Sequence, residues 1–222
     1  MTISKLLLLS AIIAISITSC KKNTSEVEEK PVAQTVIKLP DSVIIGTQKW
    51  TTVNYNGDGG LNYNSSTTND PIVGKFYTLQ EAKAFLLPKG WRVPTIEDFA
   101  KLCEFAGSKF KDKDGYPDND SPTTARLMST TGWKADGLIG KNSIGFNAVP
   151  TGYYNDAAFI GNASSSQPIT IFLTTSPAID LSGGKMVFGI YKLQNDGYNK
   201  GVFSLATDIT KVRYSLRFVK DN

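Results

Sequence analysis

Cysteine and histidine usage constrains this chain most: its 222 residues include no histidine and two cysteines, Cys20 and Cys103. Cys20 ends an N-terminal signal, so a disulfide in the remaining domain would need a cysteine that the sequence lacks. The commonest zinc ligand and general base is also missing. We therefore expect residues 41–222 to form a single domain around a hydrophobic core, without a disulfide or zinc.

The N-terminus carries the pattern of a lipoprotein signal. Lys5 precedes an almost entirely apolar segment, residues 6–17, which is too short to span a bilayer. The following residues, up to Ser19-Cys20, resemble the lipobox of bacterial lipoproteins. We predict a signal peptide over residues 1–19 and an acylated Cys20 that anchors the protein to the outer membrane. The alternative is a plain secretory signal followed by an incidental cysteine.

Residues 21–40 are polar and of mixed charge, and they lack the apolar periodicity that packing requires. We predict a flexible tether over residues 20–40. The sequence leaves open whether the anchored protein faces the periplasm or the cell surface.

The first predicted helix begins after Thr78, which forms a capping box with Glu81 three residues later. Pro88 should stop this helix. We expect its buried face to consist of three apolar residues, Ala82, Phe85 and Leu86.

The second predicted helix begins after Thr95, with Asp98 at the third helical position. Four residues spaced for one buried helix face follow, and Gly107 should end the helix. The predicted buried residues are Phe99, Leu102, Cys103 and Ala106.

Extended segments dominate the rest of the chain, and its Gly, Asn, Ser and Thr content favours strands and turns. We predict strands from residue 43 to 53 and a loop over 54–70. Further strands are expected at residues 169–173, 186–191 and 202–206. The last strand alternates apolar residues with Arg213, Ser215 and Arg217, which indicates a half-buried strand with a charged outer face. The fold class is therefore α+β.

Several segments in this order resemble the Fibrobacter succinogenes major paralogous domain, a family of envelope lipoproteins common in Bacteroidetes. They are residues 45–52 (IGTQKWTT), 88–95 (PKGWRVPT), 129–133 (STTGW), 145–150 (GFNAVP) and 216–221 (LRFVKD). The turn at residues 91–95 also resembles an element of sulfatase-modifying factors, which share the C-type lectin-like fold. The resemblance implies a C-type lectin-like domain with two helices in its N-terminal half, a short twisted antiparallel sheet and long loops.

Catalysis has little support in the sequence. The cysteine pair used by formylglycine-generating oxidases is missing, since only Cys103 lies in the domain. The absence of histidine excludes a Ser-His-Asp triad. A carboxylate pair for glycoside hydrolysis stays possible, but no pattern selects two residues. The basic residues are scattered, which argues against nucleic acid as a partner.

We therefore predict a non-catalytic binding module for a glycan or an envelope protein. The candidate ligand-binding aromatics are Trp50, Tyr153 and Tyr154, because aromatic rings near glycine and polar residues can stack on sugars or anchor proteins. Placement of Trp50, Trp91 and Trp133 in the core is the alternative. A structural or adhesin-type component without a small ligand is the second functional possibility, and a carbohydrate-active enzyme ranks below both.

An acidic run at residues 112–120 (DKDGYPDND) resembles the core of thrombospondin type 3 calcium repeats. The match puts Asp112, Asp114 and Asp118 on ligand positions. Two acidic positions of the repeat are missing, and Asp120 would have to replace one of them. The candidate cofactor is therefore a weakly bound calcium ion, and a solvated acidic loop is the alternative.

Overall fold

Eleven strands and three α-helices occur in the part of the chain that the computed structural model describes. The described residues are 35–68, 70–108, 121–133, 140–178, 185–193, 197–205 and 211–222. They fall within one unit, Gln34–Asn222. The fold is α+β with a predominance of strands, as the sequence predicts.

A small antiparallel sheet joins the two ends of the domain. It contains β1 (Ser42–Ile45), β2 (Gln48–Thr51) and β11 (Val219–Asp221), with β2 in the centre. Gly46 has a φ of 60°, which suits the tight turn between β1 and β2. The extended structure predicted from residue 43 to 53 is confirmed, and it forms two paired strands rather than one.

A larger mixed sheet contains the other strands. They are β3 (Leu61–Asn62), β4 (Lys75–Tyr77), β5 (Thr151–Asn155), β6 (Ala158–Asn162), β7 (Ile169–Pro177), β8 (Lys185–Leu193), β9 (Gly197–Leu205) and β10 (Tyr214–Ser215). The order is β3-β4-β10-β7-β5-β6, and β8 pairs with both β7 and β9. The β7 strand runs parallel to β5 and β10, whereas the other pairings are antiparallel.

The helices are α1 (Leu79–Ala84), α2 (Ile96–Phe105) and α3 (Ser121–Leu127). Capping boxes at Thr78 and Thr95 begin α1 and α2 as predicted. The apolar spacing in α2 is also confirmed, because Phe99, Leu102 and Cys103 are buried. Gly107 follows α2 with a φ of 96°. The third helix was not expected from the sequence.

The predicted extent of α1 is wrong. The backbone leaves the helical conformation at Phe85, with φ −69° and ψ 133°, before Pro88 is reached. Leu86 therefore lies outside the helix and is 42% exposed. Its carbonyl accepts a hydrogen bond from the backbone amide of Ile37.

That hydrogen bond also attaches the segment before β1 to the residues that follow α1. Ile37 and Leu39 pack against a buried apolar cluster formed by α1, β10 and neighbouring strands. This segment has too few apolar residues to show a helical or strand period in the sequence, yet Ile37 and Leu39 are partly buried against the cluster.

The last predicted strand, residues 212–218, is shortened to β10, and its predicted charged outer face is wrong. Arg213 is partly exposed, but Ser215 and Arg217 have no exposed surface. The Arg217 guanidinium lies over the rings of Phe146 and Phe172, at 5.0 and 5.7 Å from their centroids. Loop residues therefore cover a face that alternation alone would assign to solvent.

Candidate functional site

Trp50 lies in the packed interior, so it is wrong as a ligand-binding aromatic. Its side chain is fully buried, with its ring centroid 5.1 Å from that of Phe99 and 5.5 Å from that of Phe146. Trp91 and Trp133 are partly buried and pack against the apolar clusters. The indole Nε1 of Trp133 donates to the carbonyl of Ala148 at 2.9 Å.

Tyr153 and Tyr154 point to opposite faces of β5, because successive strand residues alternate. Tyr153 packs against an apolar cluster and stacks on Tyr214, with centroids 5.9 Å apart. Tyr154 instead contacts Phe159, its direct partner on β6. The structure thus separates the two predicted tyrosines and leaves Tyr154 as the candidate.

Two residues that the sequence analysis missed complete a cluster around Tyr154. The Phe159 ring lies 5.1 Å from Tyr154 and 4.9 Å from Tyr63, measured between centroids, and is tilted by 60° to each. Beneath it lies the fully buried Phe76, at 5.1 Å. Tyr63, Tyr154 and Phe159 are each partly exposed, and we call these three residues the aromatic patch.

The hairpin of β5 and β6 positions two members of the patch. Asp156 turns the chain between these strands with a φ of 54°. Gly152 in β5 has a φ of 72°, and a Cβ atom there would meet the carbonyl oxygen of Ile160 at 2.1 Å. Tyr154 also exchanges two backbone hydrogen bonds with Arg213, at 3.0 and 2.9 Å. These contacts hold β5 close to β6 and to Arg213, and they fix the backbone that carries Tyr154.

Tyr63 reaches the patch from a different part of the sequence. It begins a short 3₁₀ turn, Tyr63–Ser65, directly after the edge strand β3. Asn64 in this turn has a φ of 54°, a conformation that asparagine tolerates better than most residues. The turn faces the β5–β6 hairpin, where Tyr63 contacts Phe159.

Charged residues are almost absent from the two segments that carry the patch. The segments 61–68 and 151–168, which carry the patch, contain one charged side chain, Asp156. Their other polar side chains are amides and hydroxyls. The nearest guanidinium, that of Arg213, is bound by Glu81 at 2.8 and 2.6 Å. Burial alone would raise the pKa of Glu81, but hydrogen bonds from Arg213 and Thr78 outweigh it and hold the pKa below its ordinary value.

A groove of about 640 Å³ lies elsewhere on the domain. The segment that enters the domain forms one side, through Lys38, Pro40 and Asp41, and the loop after β2 forms the other. Tyr55 lies at its base, and burial together with Asp58 raises the pKa of its phenol, so this group is neutral at pH 7. The groove offers one cation and one anion but few exposed aromatic surfaces.

A polar cluster connects three of the segments that carry the family resemblance. The buried Asp98 accepts hydrogen bonds from Gln48 at 2.6 Å and from Arg92 at 2.8 Å. It also accepts one at 2.8 Å from the backbone amide of Thr95, the N-cap residue of α2, which completes the capping box. Arg92 further binds Asp221 near the C-terminus at 3.1 Å. These bonds tie β2, α2 and β11 together, which assigns the cluster a structural role.

Arg217 connects two further segments in the interior. Its guanidinium donates to the side chain of Asn54 and to the carbonyls of Thr51, Phe146 and Asn147, at 2.7 to 3.1 Å. Burial lowers the pKa of Arg217 to about 9, so the group is still charged at pH 7. It therefore acts as an internal cross-link.

Cys20 and the candidate calcium ligands Asp112, Asp114, Asp118 and Asp120 lie outside the described residues. Among the described residues, no three Cys, Asp or Glu side chains converge closely enough to hold a metal ion. Within the same ranges, no helix has the length and apolar character that crossing a bilayer requires.

The comparisons with known proteins yield one match. The family model of the Fibrobacter succinogenes major domain matches residues 43–220. No curated protein and no solved structure matches the chain significantly. The matched range begins within β1 and ends within β11. It includes the aromatic patch and, except for Asp221, the polar cluster around Asp98. The chain therefore belongs to the Fibrobacter succinogenes major domain family.

Proposed function

We propose that this chain is a non-catalytic binding module and that the aromatic patch is its contact surface. The observation that carries the proposal is that Tyr63 and Tyr154 both contact Phe159 and that all three side chains are partly exposed. Aromatic rings supply large contact areas and lose little conformational entropy on binding. Because Phe159 rests on the buried Phe76, the patch is supported by the core.

A non-catalytic role agrees with the contacts of three described carboxylates, Glu81, Asp98 and Asp221. Asp98 and Asp221 both bind Arg92, and Glu81 binds Arg213 and caps α1. A general acid or base needs a proton-transfer position beside a substrate. These carboxylates are instead engaged in contacts that hold elements of the domain together.

The proposal includes a membrane anchor and a fold type. The apolar segment at residues 6–17 followed by Cys20 supports an outer-membrane lipoprotein that faces the periplasm or the cell surface. Pairing of β2 near the start of the domain with β11 at its end, two capped helices and long loops support a C-type lectin-like fold. A shared fold does not imply a shared ligand, so the class of ligand has to be inferred from the residues of the aromatic patch.

The test compares binding by the wild type with binding by Tyr63→Ser combined with Tyr154→Ser. Immobilised polysaccharide and immobilised envelope protein serve as separate probes, and circular dichroism checks the fold. Phe105→Ser is the matched control, because Phe105 is 51% exposed and lies outside the patch. We expect one probe to retain the wild type and the control but not the double variant. Equal retention of all three proteins would refute the patch as the contact surface.

A further inference from the structure

We propose that the aromatic patch binds a neutral oligosaccharide, whose sugar rings stack on Tyr63 and Tyr154. This inference rests on the proposed binding function and deepens it by naming the class of ligand. It follows from the spacing of the rings, the lack of charge around them and the rigidity of the hairpin that carries them.

The spacing of the rings suits a short chain of sugar rings. Phe159 lies at about the same centroid distance from Tyr63, 4.9 Å, as from Tyr154, 5.1 Å. The centroids of the two tyrosine rings are therefore at most about 10 Å apart, which is close enough for one short oligosaccharide to contact both. The C–H groups on one face of a pyranose pack well against aromatic rings, and the tyrosine hydroxyls keep a polar edge for the sugar hydroxyls.

The charge around the patch selects against an acidic glycan. Neither of the segments 61–68 and 151–168 contains a lysine or an arginine, although a fifth of the whole chain is charged. Uronate and sulfate groups are bound most strongly by charged donors. The guanidinium of Arg213 is occupied by Glu81 through two hydrogen bonds. A negatively charged ligand would therefore find no lysine or arginine within the two segments that carry the patch.

The side chains around the rings instead match sugar hydroxyls. Asn62 ends β3, and Asn64 and Ser66 follow it. Asn155 and Asn162 end β5 and β6. Amide and hydroxyl groups both donate and accept hydrogen bonds, as sugar hydroxyls do. Desolvating such neutral groups costs less than desolvating ions.

The hairpin presents Tyr154 and Phe159 with little freedom to rearrange. Tyr154 is held by paired backbone hydrogen bonds to Arg213, and its strand pairs with β6 and β7. A surface that is ordered before binding loses less entropy when the ligand arrives. This compensates for the weak attraction that neutral sugars and proteins have for each other.

The test is affinity electrophoresis of the purified protein in gels that contain one polysaccharide each. The neutral probes are β-glucan, mannan, xylan and starch, and the acidic probes are polygalacturonate and heparin. We expect at least one neutral probe to retard the wild type, with an affinity that falls about tenfold in Tyr154→Ser. Tyr154→Phe keeps the ring and should retain most of the affinity, as should the control Phe105→Ser.

The outcomes separate the inference from the proposed function. Retardation by acidic probes alone, or patch-dependent binding of envelope protein without retardation by any neutral probe, overturns the neutral-glycan inference and leaves the binding function standing. If Tyr63→Ser combined with Tyr154→Ser binds every probe as the wild type does, both are overturned. Equal loss of affinity in Tyr154→Phe and Tyr154→Ser would show that the ring does not stack on the sugar.

Discussion

Replacing Arg217 by methionine should destabilise the domain more than replacing any partly exposed arginine. Methionine has a similar length but no hydrogen-bond donor, so four acceptors in the interior lose their partner. These are the side chain of Asn54 and the carbonyls of Thr51, Phe146 and Asn147. The stacking of the guanidinium on Phe146 is lost as well.

Opposing contributions set the size of the effect. A buried acceptor without its partner costs about 1–3 kcal/mol, whereas removing the buried charge regains part of its desolvation penalty. We expect a net loss of about 3–5 kcal/mol in the free energy of unfolding for Arg217→Met. Arg217→Lys keeps the charge but cannot reach four acceptors with one ammonium group, so it should also destabilise strongly.

Urea unfolding followed by tryptophan fluorescence measures the effect. With a slope of about 2 kcal/mol per M, the midpoint should fall by about 2 M in Arg217→Met. Arg213→Met is the matched control, because Arg213 lies on the same C-terminal segment and pairs with Glu81 near the surface. This exposed pair should contribute about 1 kcal/mol or less. A midpoint shift in Arg217→Met no larger than that of the control would refute the cross-link.

Four further changes test individual conclusions. Glu81→Gln should flatten the decline of stability in acid: because the folded-state pKa of Glu81 lies below its ordinary value of 4.5, its contribution is fully present above pH 4.5 and is lost as the pH falls through the folded-state pKa. An unchanged pH profile of the unfolding free energy would contradict this reasoning. Thr95→Ala should cost about 1 kcal/mol, and an unaltered urea midpoint would argue against the capping box of α2. Cys20→Ala should abolish metabolic labelling with a palmitate analogue, whereas wild-type labelling of this variant would disprove lipidation. Calorimetric titration should give a calcium dissociation constant of about 10⁻⁴ to 10⁻³ M that Asp114→Ala weakens, and a wild type without binding heat at millimolar calcium would leave a plain surface loop.

Features encoded within a few residues of the chain were predictable. The capping boxes at Thr78 and Thr95 begin helices in the structure, and Gly107 follows the end of α2. The buried face of α2, including Cys103, was also predictable from its spacing. The caps act through neighbouring backbone groups, and the apolar spacing of α2 follows the helical period, so both can be recognised within a short stretch of sequence.

Predictions failed where local propensity and packing disagree. Helix α1 ends after Ala84, although Pro88 is the first strong stop signal in the sequence. Phe85 leaves the helical conformation and contacts Tyr55, with ring centroids 5.2 Å apart. Tertiary packing thus overrides the helix propensity of the last residues before the proline.

The sequence by itself determined the family, the α+β class and the starts of α1 and α2, and it selected Tyr154 as a candidate. Only the tertiary structure decided that Trp50 is core and that Tyr63 and Phe159 complete the aromatic patch. It also decided that loop residues cover Arg217. Alternation along a strand fixes the relative directions of its side chains, but it does not show which face another segment covers. That outcome depends on contacts between residues far apart in the sequence, and no local pattern records them.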